Sequence, residues 1–143
     1  KKRFGGGATV NLTLVDTDIL SLFFRRQPKV VSNFKDYVVR YKKLNISIIT
    51  YYEVLSGLKH KNAHKQLETF LEFSQQANIL PLTIDAVNIS AEIYAKTRKD
   101  GHPIDDIDIF IAGIALSNHL VLSTHNEKHF KHIDGLAIID WSN

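Results

Sequence analysis

Short apolar runs alternate with longer amphipathic stretches along most of the chain. Five of the short runs, rich in β-branched and aliphatic residues, predict strands. These predicted strands are Leu12–Val15, Ile46–Thr50, Asn78–Leu82, Leu120–Thr124 and Leu136–Asp140. Because stretches with helical periodicity separate them, the pattern is typical of an α/β protein with a mainly parallel central sheet.

The helical stretches carry recognisable boundary residues. Thr83 is a suitable N-cap for the helix before Gly101, and glycine favours the left-handed conformation that ends helices. Pro28 stands where a second helix opens. The predicted helices cover Ile19–Arg26, about Val30–Tyr41, a segment from Tyr51 to Leu58, Asn62–Gln76, Thr83 to about Lys99, and a turn over His125–Phe130.

The stretch Pro103–Leu116 places three carboxylates directly ahead of a nearly all-apolar run. Asp105 is expected to be the N-cap of a helix here. One helical face of the run is predicted to be buried, formed by Ile107, Phe110, Ile111 and Ile114. Asp108 lies well round the helix from that face, and it either completes the cap or has a buried partner.

Two further acidic residues follow predicted strands. Asp16 ends the first strand, and Thr17 or Asp18 can cap the next helix. Glu53 lies three residues after Thr50, which is the spacing of a capping box. Each acidic residue alone therefore has a structural explanation.

Their shared placement is harder to explain in that way. In a parallel sheet the carboxyl ends of the strands gather on one edge. The residues expected there are Asp16, Glu53, Asp106, Asp108, Thr124 and Asn126. Carboxylates held close together stay ionised only when a cation neutralises them, and oxygen ligands suit Mg²⁺ or Mn²⁺. Such an ion can activate water and offset charge in phosphoryl chemistry.

The amino-acid composition limits the kinds of site and the class of protein that are possible. The chain has 143 residues, 44% hydrophobic and 23% charged, which is ordinary for one globular domain. The absence of cysteine excludes disulfides, thiolate metal sites and a cysteine nucleophile, and it fits the reducing cytoplasm. A net charge of +3 is compatible with a polyanionic partner but does not identify one. The longest apolar run, Ile109–Leu116, is too short to span a membrane, and no signal peptide is recognisable.

The first residues differ in character from the rest. Residues 1–10 are basic and glycine-rich, and the chain contains no methionine. We therefore interpret residues 1–10 as a flexible lead left by cloning, and residues 11–143 as a single domain.

Four blocks of the sequence resemble PIN-domain proteins, and within them toxin ribonucleases of the VapC type. The blocks are residues 14–20 (LVDTDIL), 48–58 (IITYYEVLSGL), 103–112 (PIDDIDIFIA) and 120–130 (LVLSTHNEKHF), followed by Gly135 and Leu136. They occur in order from about Leu12 to Trp141. The resemblance implies a PIN-like three-layer fold, with helices flanking a mainly parallel sheet.

The resemblance also implies a metal-dependent endoribonuclease. Asp16, Glu53 and Asp108 match the acidic positions of the family, and Asn126 stands at a fourth position that is often aspartate. In the implied mechanism Asp16 and Asp108 bind Mg²⁺ or Mn²⁺, Glu53 binds it through water or positions the attacking water, and Asn126 completes the ring. Asp106 and Thr124 are secondary candidates. A neutral Asn126 adds no charge, which leaves the binding of a second metal open.

The family implies partners as well. Its toxins are commonly neutralised by a cognate antitoxin, here a VapB-like protein, and commonly form homodimers. Candidate interface residues are Phe23, Phe24, Tyr37 and Tyr41. Basic residues beside the acidic pocket are expected to hold the RNA backbone, so binding should weaken with salt.

Two other functions remain open at this point. Asp16-Thr17-Asp18 after a strand imitates the nucleophile motif of haloacid-dehalogenase-type phosphatases, with Asp105-Asp106 as a later acidic pair. Alternatively, a PIN fold that binds RNA or protein without cutting would account for Asn126.

The spacing of two histidines raises a zinc site as a further alternative. His60 and His64 are four residues apart, as in a helical zinc-ligand pair, but they lie in a lysine-rich stretch that predicts a solvated face. His125, His129 and His132 are interpreted as surface or RNA-proximal residues.

Overall fold

A five-stranded parallel sheet forms the centre of the protein, for which a computed structural model describes residues 12–143. The strands are β1 (Thr13–Val15), β2 (Asn45–Ser47), β3 (Asn78–Leu80), β4 (Val121–Ser123) and β5 (Ile138–Ile139). Their order is β3-β2-β1-β4-β5, and every pairing is parallel. The predicted parallel sheet is confirmed, and the predicted lead over residues 1–10 lies outside the described residues.

The strand order changes direction beside β1. From β1 the chain adds β2 and β3 on one side, then returns to add β4 and β5 on the other. In open α/β sheets, ligands bind at the carboxyl ends of the strands where the order reverses in this way. The crevice between the ends of β1 and β4 is therefore the expected site.

Seven helices connect the strands. They are α1 (Thr17–Phe24), α2 (Pro28–Tyr41), α3 (Ile48–His60), α4 (His64–Gln75), α5 (Ile84–Lys99), α6 (Asp106–Ser117) and α7 (Glu127–Phe130). Pro28 is the first residue of α2, and the Thr83 hydroxyl accepts the Ala86 N–H at the start of α5. Within residues 12–143, no helix has the length and apolar character needed to cross a bilayer.

The start of α3 corrects one prediction. The β-branched run 46–50 predicts a strand that ends at Thr50, yet β2 ends at Ser47 and the helix begins at Ile48. The Ser47 hydroxyl accepts the Thr50 N–H at 2.9 Å, so Ser47 is the N-cap and the capping box of Thr50 and Glu53 is wrong. Cap formation here overrides the strand propensity of the two isoleucines.

Two other caps also differ from expectation. Asp16 itself caps α1, accepting the Thr17 N–H, so neither Thr17 nor Asp18 has that role. Asp105 is the N-cap residue of α6 as predicted, but its side chain makes no capping hydrogen bond.

Two apolar clusters cover the two faces of the sheet. Consecutive β1 residues point to opposite faces, so Leu14 belongs to one cluster and Val15 to the other. The Leu14 cluster is built mainly from α5 and α6, and the Val15 cluster mainly from α1, α2 and α4. Helix layers on both faces of a parallel sheet give the three-layer PIN-like architecture.

Helix α6 is buried more completely than its pattern predicts. Ile111 and Ile114 are buried as expected, whereas Ile107 and Phe110 are only half-buried. The opposite side is also covered, with Ile109, Ala112, Gly113 and Ala115 buried. The reason is that α6 lies between the sheet and α5.

The residues predicted for a dimer interface are not all exposed at the surface. Tyr37 is fully buried, and its hydroxyl contacts the Thr13 N–H and the Asn45 amide, so its assignment to an interface is wrong. Phe23 and Tyr41 are half-buried, and Phe24 is 37% exposed. Trp141 is buried near the end of the chain against Tyr37.

Candidate active site at the carboxyl edge of the sheet

Asp16 lies at the centre of this edge, directly after β1. Its backbone N–H bonds the carbonyl of Ser123 at 2.9 Å, which fixes it against the end of β4. Its carboxylate is only 4% exposed and accepts two hydrogen bonds of 2.8 Å, from the Thr17 N–H and the Thr124 hydroxyl. The strand ends therefore hold this carboxylate in a fixed position.

The electrostatics of Asp16 are unusual for an aspartate. Its pKa is raised from 3.8 to about 7, chiefly by burial and also by the neighbouring charges of Asp18 and Asp108, although the bonds from Thr124 and Thr17 act in the opposite direction. The site thus holds a buried carboxylate beside two other acidic residues, whose charges repel its ionised form. A bound cation would relieve this repulsion.

Glu53 reaches the same edge from the second turn of α3. The Thr17 hydroxyl donates to Glu53 Oε1 at 2.6 Å and lies 3.0 Å from the Thr50 hydroxyl. Since Thr17 follows Asp16 directly, its backbone and side chain contact two of the acidic residues at once. Sequence analysis treats Thr17 only as a possible cap, because this link joins positions 36 residues apart.

Asp108 enters from the first turn of α6. Burial raises its pKa, while the hydrogen bond and charge of His129 lower it and Asp105 raises it. His129 Nδ1 lies 2.9 Å from Asp108 Oδ2. This contact was not predicted, although the position of His129 after the fourth strand, close to Asn126, was the available signal.

A second network lies beside the first. The Asp18 carboxylate accepts the His125 N–H at 3.0 Å, and His125 Nδ1 lies 2.8 Å from Asp140 Oδ2. Burial raises the pKa of Asp18. Although burial also acts to raise the pKa of Asp140, hydrogen bonds from Ser142 and His125 bring it below its ordinary value. These contacts fix the loop that carries Thr124 and Asn126.

The remaining candidate residues differ in their surroundings. Thr124 is buried and joins Asp16 to the Asn126 N–H, which it accepts at 3.0 Å. The Asn126 side chain is exposed and does not cap α7. Asp106 is the first residue of α6 and is exposed, and it does not line the cleft that includes Asp105 and Asp108.

The donor chemistry fits a hard cation, but the side chains are dispersed. Within residues 12–143, no three acidic or histidine side chains are grouped closely enough to hold one ion. Asp16, Glu53 and Asp108 are each engaged with a neighbouring hydroxyl or imidazole instead. Binding one ion through all three would require these side chains to move closer together; their hydrogen bonds can persist, because each carboxylate has about four acceptor positions.

Two clefts adjoin the acidic residues. One of about 640 Å³ includes Thr17 and Glu53, with Lys61 and Lys65 on its wall. The other, of about 400 Å³, includes Asp108 together with Asp105 and several basic and histidine side chains. Positive groups therefore flank the acidic residues on both sides, as expected for a polyanionic substrate.

Two alternative patterns lack structural support. His60 ends α3 and His64 begins α4, so they do not share one helix as a zinc-ligand pair would. Asp105 and Asp106 follow a loop and open a helix instead of following a strand. The acidic pair of a phosphatase would follow a strand, so Asp105 and Asp106 do not have the position that this alternative requires.

Comparison with known proteins gives a consistent result. The model of the PIN domain family matches residues 13–136. Ribonuclease VapC1 of Haemophilus influenzae strain R2866 is 30% identical over 131 residues, which cover 90% of this chain and 97% of the relative. The tRNA(fMet)-specific endonuclease VapC of Shigella flexneri is 27% identical over 130 residues, with 90% and 97% coverage.

A solved structure agrees with the sequence matches. DNA-bound VapBC from Salmonella typhimurium superposes with a TM-score of 0.81 and 27% identity, covering 92% of this chain and 99% of that one. The similarity therefore extends over nearly the whole described fold, including the carboxyl edge of the sheet.

Proposed function

Because the chain belongs to the PIN-domain family, and within it to the VapC-type ribonucleases, we propose that it is a toxin endoribonuclease that hydrolyses RNA phosphodiester bonds. The observation that carries this proposal is the shared location of Asp16, Glu53 and Asp108: Thr17 contacts both Asp16 and Glu53, and the charge of Asp108 acts on Asp16. Asp16 follows β1, Glu53 belongs to α3 and Asp108 to α6, and all three lie at the carboxyl edge where the strand order reverses. Core packing alone does not require three carboxylates at this position.

We assign the metal to the same residues. Asp16 and Asp108 would hold Mg²⁺ or Mn²⁺, with Glu53 and Asn126 around them. When bound, the ion supplies positive charge that lowers the pKa of a water and offsets charge on the phosphoryl transition state. The raised pKa of Asp16 supports this assignment, because burial and, to a smaller extent, the charges of Asp18 and Asp108 disfavour its ionised form, which a bound cation would stabilise.

The other residues orient these ligands. Thr124 and the Thr17 N–H fix the two oxygens of Asp16, and the Thr17 hydroxyl directs Glu53. His129 positions Asp108 and neutralises part of its charge when protonated. Lys61 and Lys65, on the wall of the cleft beside Glu53, are placed to contact RNA phosphates.

The proposed function includes partners and a location. A cognate VapB-like antitoxin would hold the enzyme inactive by covering the acidic edge, and the toxin would act in the cytoplasm as a homodimer. Phe24 remains the best exposed candidate among the predicted interface residues.

The test is cleavage of total RNA by the chain after removal of any bound antitoxin. We expect discrete products with Mg²⁺ or Mn²⁺ and none with EDTA. Asp16→Asn and Asp108→Asn should lose cleavage while keeping the fold, since each removes one charge and preserves shape. Asp36→Asn, an equivalent change on an exposed part of α2, should cleave normally. Unfolding of the Asp108 variant, with normal activity in its folded fraction, would instead make Asp108 a structural residue.

A non-catalytic RNA- or protein-binding module is the second candidate. The neutral Asn126 and the dispersed carboxylates favour it. Calorimetric titration separates the two functions, because a module of this kind would bind neither Mg²⁺ nor Mn²⁺ at millimolar concentration. Metal binding that disappears in Asp16→Asn would support the nuclease.

A further inference from the structure

Beside Asp108 lies the cleft of about 400 Å³, formed between the loop after α5 and helix α7. Its volume is in the range that holds a small organic ligand, the size class of one nucleotide. We call it the histidine cleft, after its members His102, His129 and His132; it also includes Lys128 and Lys131.

Two exposed imidazoles form the aromatic surface of this cleft. The rings of His102 and His132 are stacked, with centroids 3.8 Å apart and an angle of 5° between their planes. Parallel rings direct their nitrogen lone pairs side by side, so the pair does not converge on one metal ion. It does present a flat π-surface of the kind on which unpaired bases stack.

The backbone holds both histidines in place. Gly101 has a φ of +80°, and the N–H groups of Gly101 and His102 bond the carbonyls of Arg98 and Thr97. This is a Schellman ending of α5, and it turns the chain so that His102 leaves the helix towards the cleft. His132 stands between Phe130 and Ile133, both buried, which anchor its backbone.

The charge of the cleft complements a phosphate. Lys128 and Lys131 are three residues apart at α7, a spacing that places their side chains on one face. Within residues 12–143, neither lysine forms an ion pair. The acidic residues of the cleft, Asp105 and Asp108, belong to the start of α6 and not to α7, and Asp108 is joined to His129.

We propose that the histidine cleft is a subsite for one unpaired nucleotide of the RNA, with its base on the His102–His132 pair and its phosphate at Lys128 and Lys131. This inference rests on the proposed ribonuclease function. Because Asp108 is one of the residues that line the cleft, the nucleotide bound there would lie next to the cleaved bond. His102 and His132 are then binding residues that select for unpaired RNA.

The test measures kcat and KM for whichever RNA is cleaved in the total-RNA experiment. His102→Ala should raise KM roughly tenfold and leave kcat unchanged, since stacking on an aromatic group contributes mainly to binding. His102→Tyr, which keeps an aromatic face, should recover most of that loss. His119→Asn, at the opposite edge of the sheet, is the control and should behave as wild type.

Salt dependence tests the lysines separately. Lys128→Gln with Lys131→Gln should reduce the slope of log KM against log salt by about 0.7, the contribution of one phosphate of a single strand. The matched pair Lys42→Gln and Lys43→Gln, which precedes β2, should leave the slope unchanged. Melting temperatures verify that all variants are folded.

The possible failures are distinguishable. Normal cleavage by the wild type, with unchanged KM and salt slope in the variants, would overturn the subsite and leave the nuclease intact. No cleavage of any RNA would remove the proposed function and the subsite with it. Weaker binding of hexaglutamate to the His102 and lysine variants, with RNA kinetics unchanged, would overturn the subsite in favour of an acidic protein partner.

Discussion

Asp16 combines three roles that place conflicting demands on one side chain. It caps α1, it is buried at the end of β1, and it is a proposed metal ligand. In the folded chain its pKa is about 7, compared with an ordinary value of 3.8. Between these two values the folded state retains a proton that the unfolded state has lost, so stability falls as the pH rises through this range.

Asp16→Asn should therefore stabilise the metal-free protein near neutral pH while abolishing cleavage. Asparagine keeps the shape and the capping ability but removes the buried charge. From the difference between the folded and unfolded pKa, the gain in free energy of unfolding is at most about 4 kcal/mol above neutral pH. Near pH 4 the gain should be small, because Asp16 is then protonated in the folded wild type. Thermal denaturation in EDTA across this pH range measures the effect, with Asp36→Asn as the control. A variant that is less stable at every pH would show that the charge of Asp16 is stabilising.

Thr17 provides a second prediction at the residue scale. Thr17→Val removes the hydroxyl that orients Glu53 but keeps the N–H that Asp16 accepts. A hydrogen bond to a charged group contributes about 1.5–3 kcal/mol, so kcat should fall roughly 10- to 100-fold if this orientation matters in the transition state. Ser32→Ala, which removes an exposed hydroxyl on α2, is the control. Wild-type kcat in Thr17→Val would mean that Glu53 needs no fixed orientation.

At the scale of elements, the contact between α5 and α6 depends on one glycine. A Cβ added to Gly113 would lie 2.6 Å from the Ala86 carbonyl oxygen and would also collide with the Ser90 hydroxyl. That hydroxyl bonds the carbonyl of Ile109 at 3.2 Å, so it has little freedom to move away. Since α6 carries Asp108, the same close approach determines where this carboxylate lies.

Gly113→Ala should consequently destabilise the protein by about 1–3 kcal/mol, although alanine is the better helix former. Gly57 offers a matched control, because it lies inside α3 and a Cβ there would meet nothing within 4 Å. Gly57→Ala should stabilise by about 0.5–1 kcal/mol. Urea denaturation of the two variants compares them directly, and equal effects of the same sign would contradict the close-packing argument.

The order of the elements was predictable because it depends on local periodicity. All five strands and the helices between them occur where the pattern of apolar residues indicates. Their ends were less predictable, since they depend on competition between local interactions. Ile48 and Ile49 favour a strand by propensity, but the Ser47 cap commits them to α3.

At the scale of the whole molecule, sheet topology explains what could be foreseen about the site. The carboxyl ends of parallel strands lie at one edge whatever the side chains are, so Asp16 and Thr124 could be predicted from the sequence to lie close together. The contacts of Asp108 with His129 and of Thr17 with Glu53 join residues 21 and 36 positions apart. Such contacts depend on how α3, α6 and α7 pack, which no local pattern records.

Because the proposed ligands belong to separate elements of the fold, metal binding should depend on the folding of the whole domain. An ion shared by β1, α3 and α6 binds only when all three are folded, so Mg²⁺ or Mn²⁺ should raise the melting temperature. Each tenfold excess of ion over its Kd adds about 1.4 kcal/mol to the free energy of unfolding. Because the ion must displace the proton of Asp16, the gain should be larger near pH 8 than near pH 6.

Thermal scans with millimolar MgCl₂ or MnCl₂, compared with NaCl of equal ionic strength, measure this rise in melting temperature. Asp16→Asn should lose both the gain and its pH dependence, whereas a shift that persists in this variant would place the ion elsewhere.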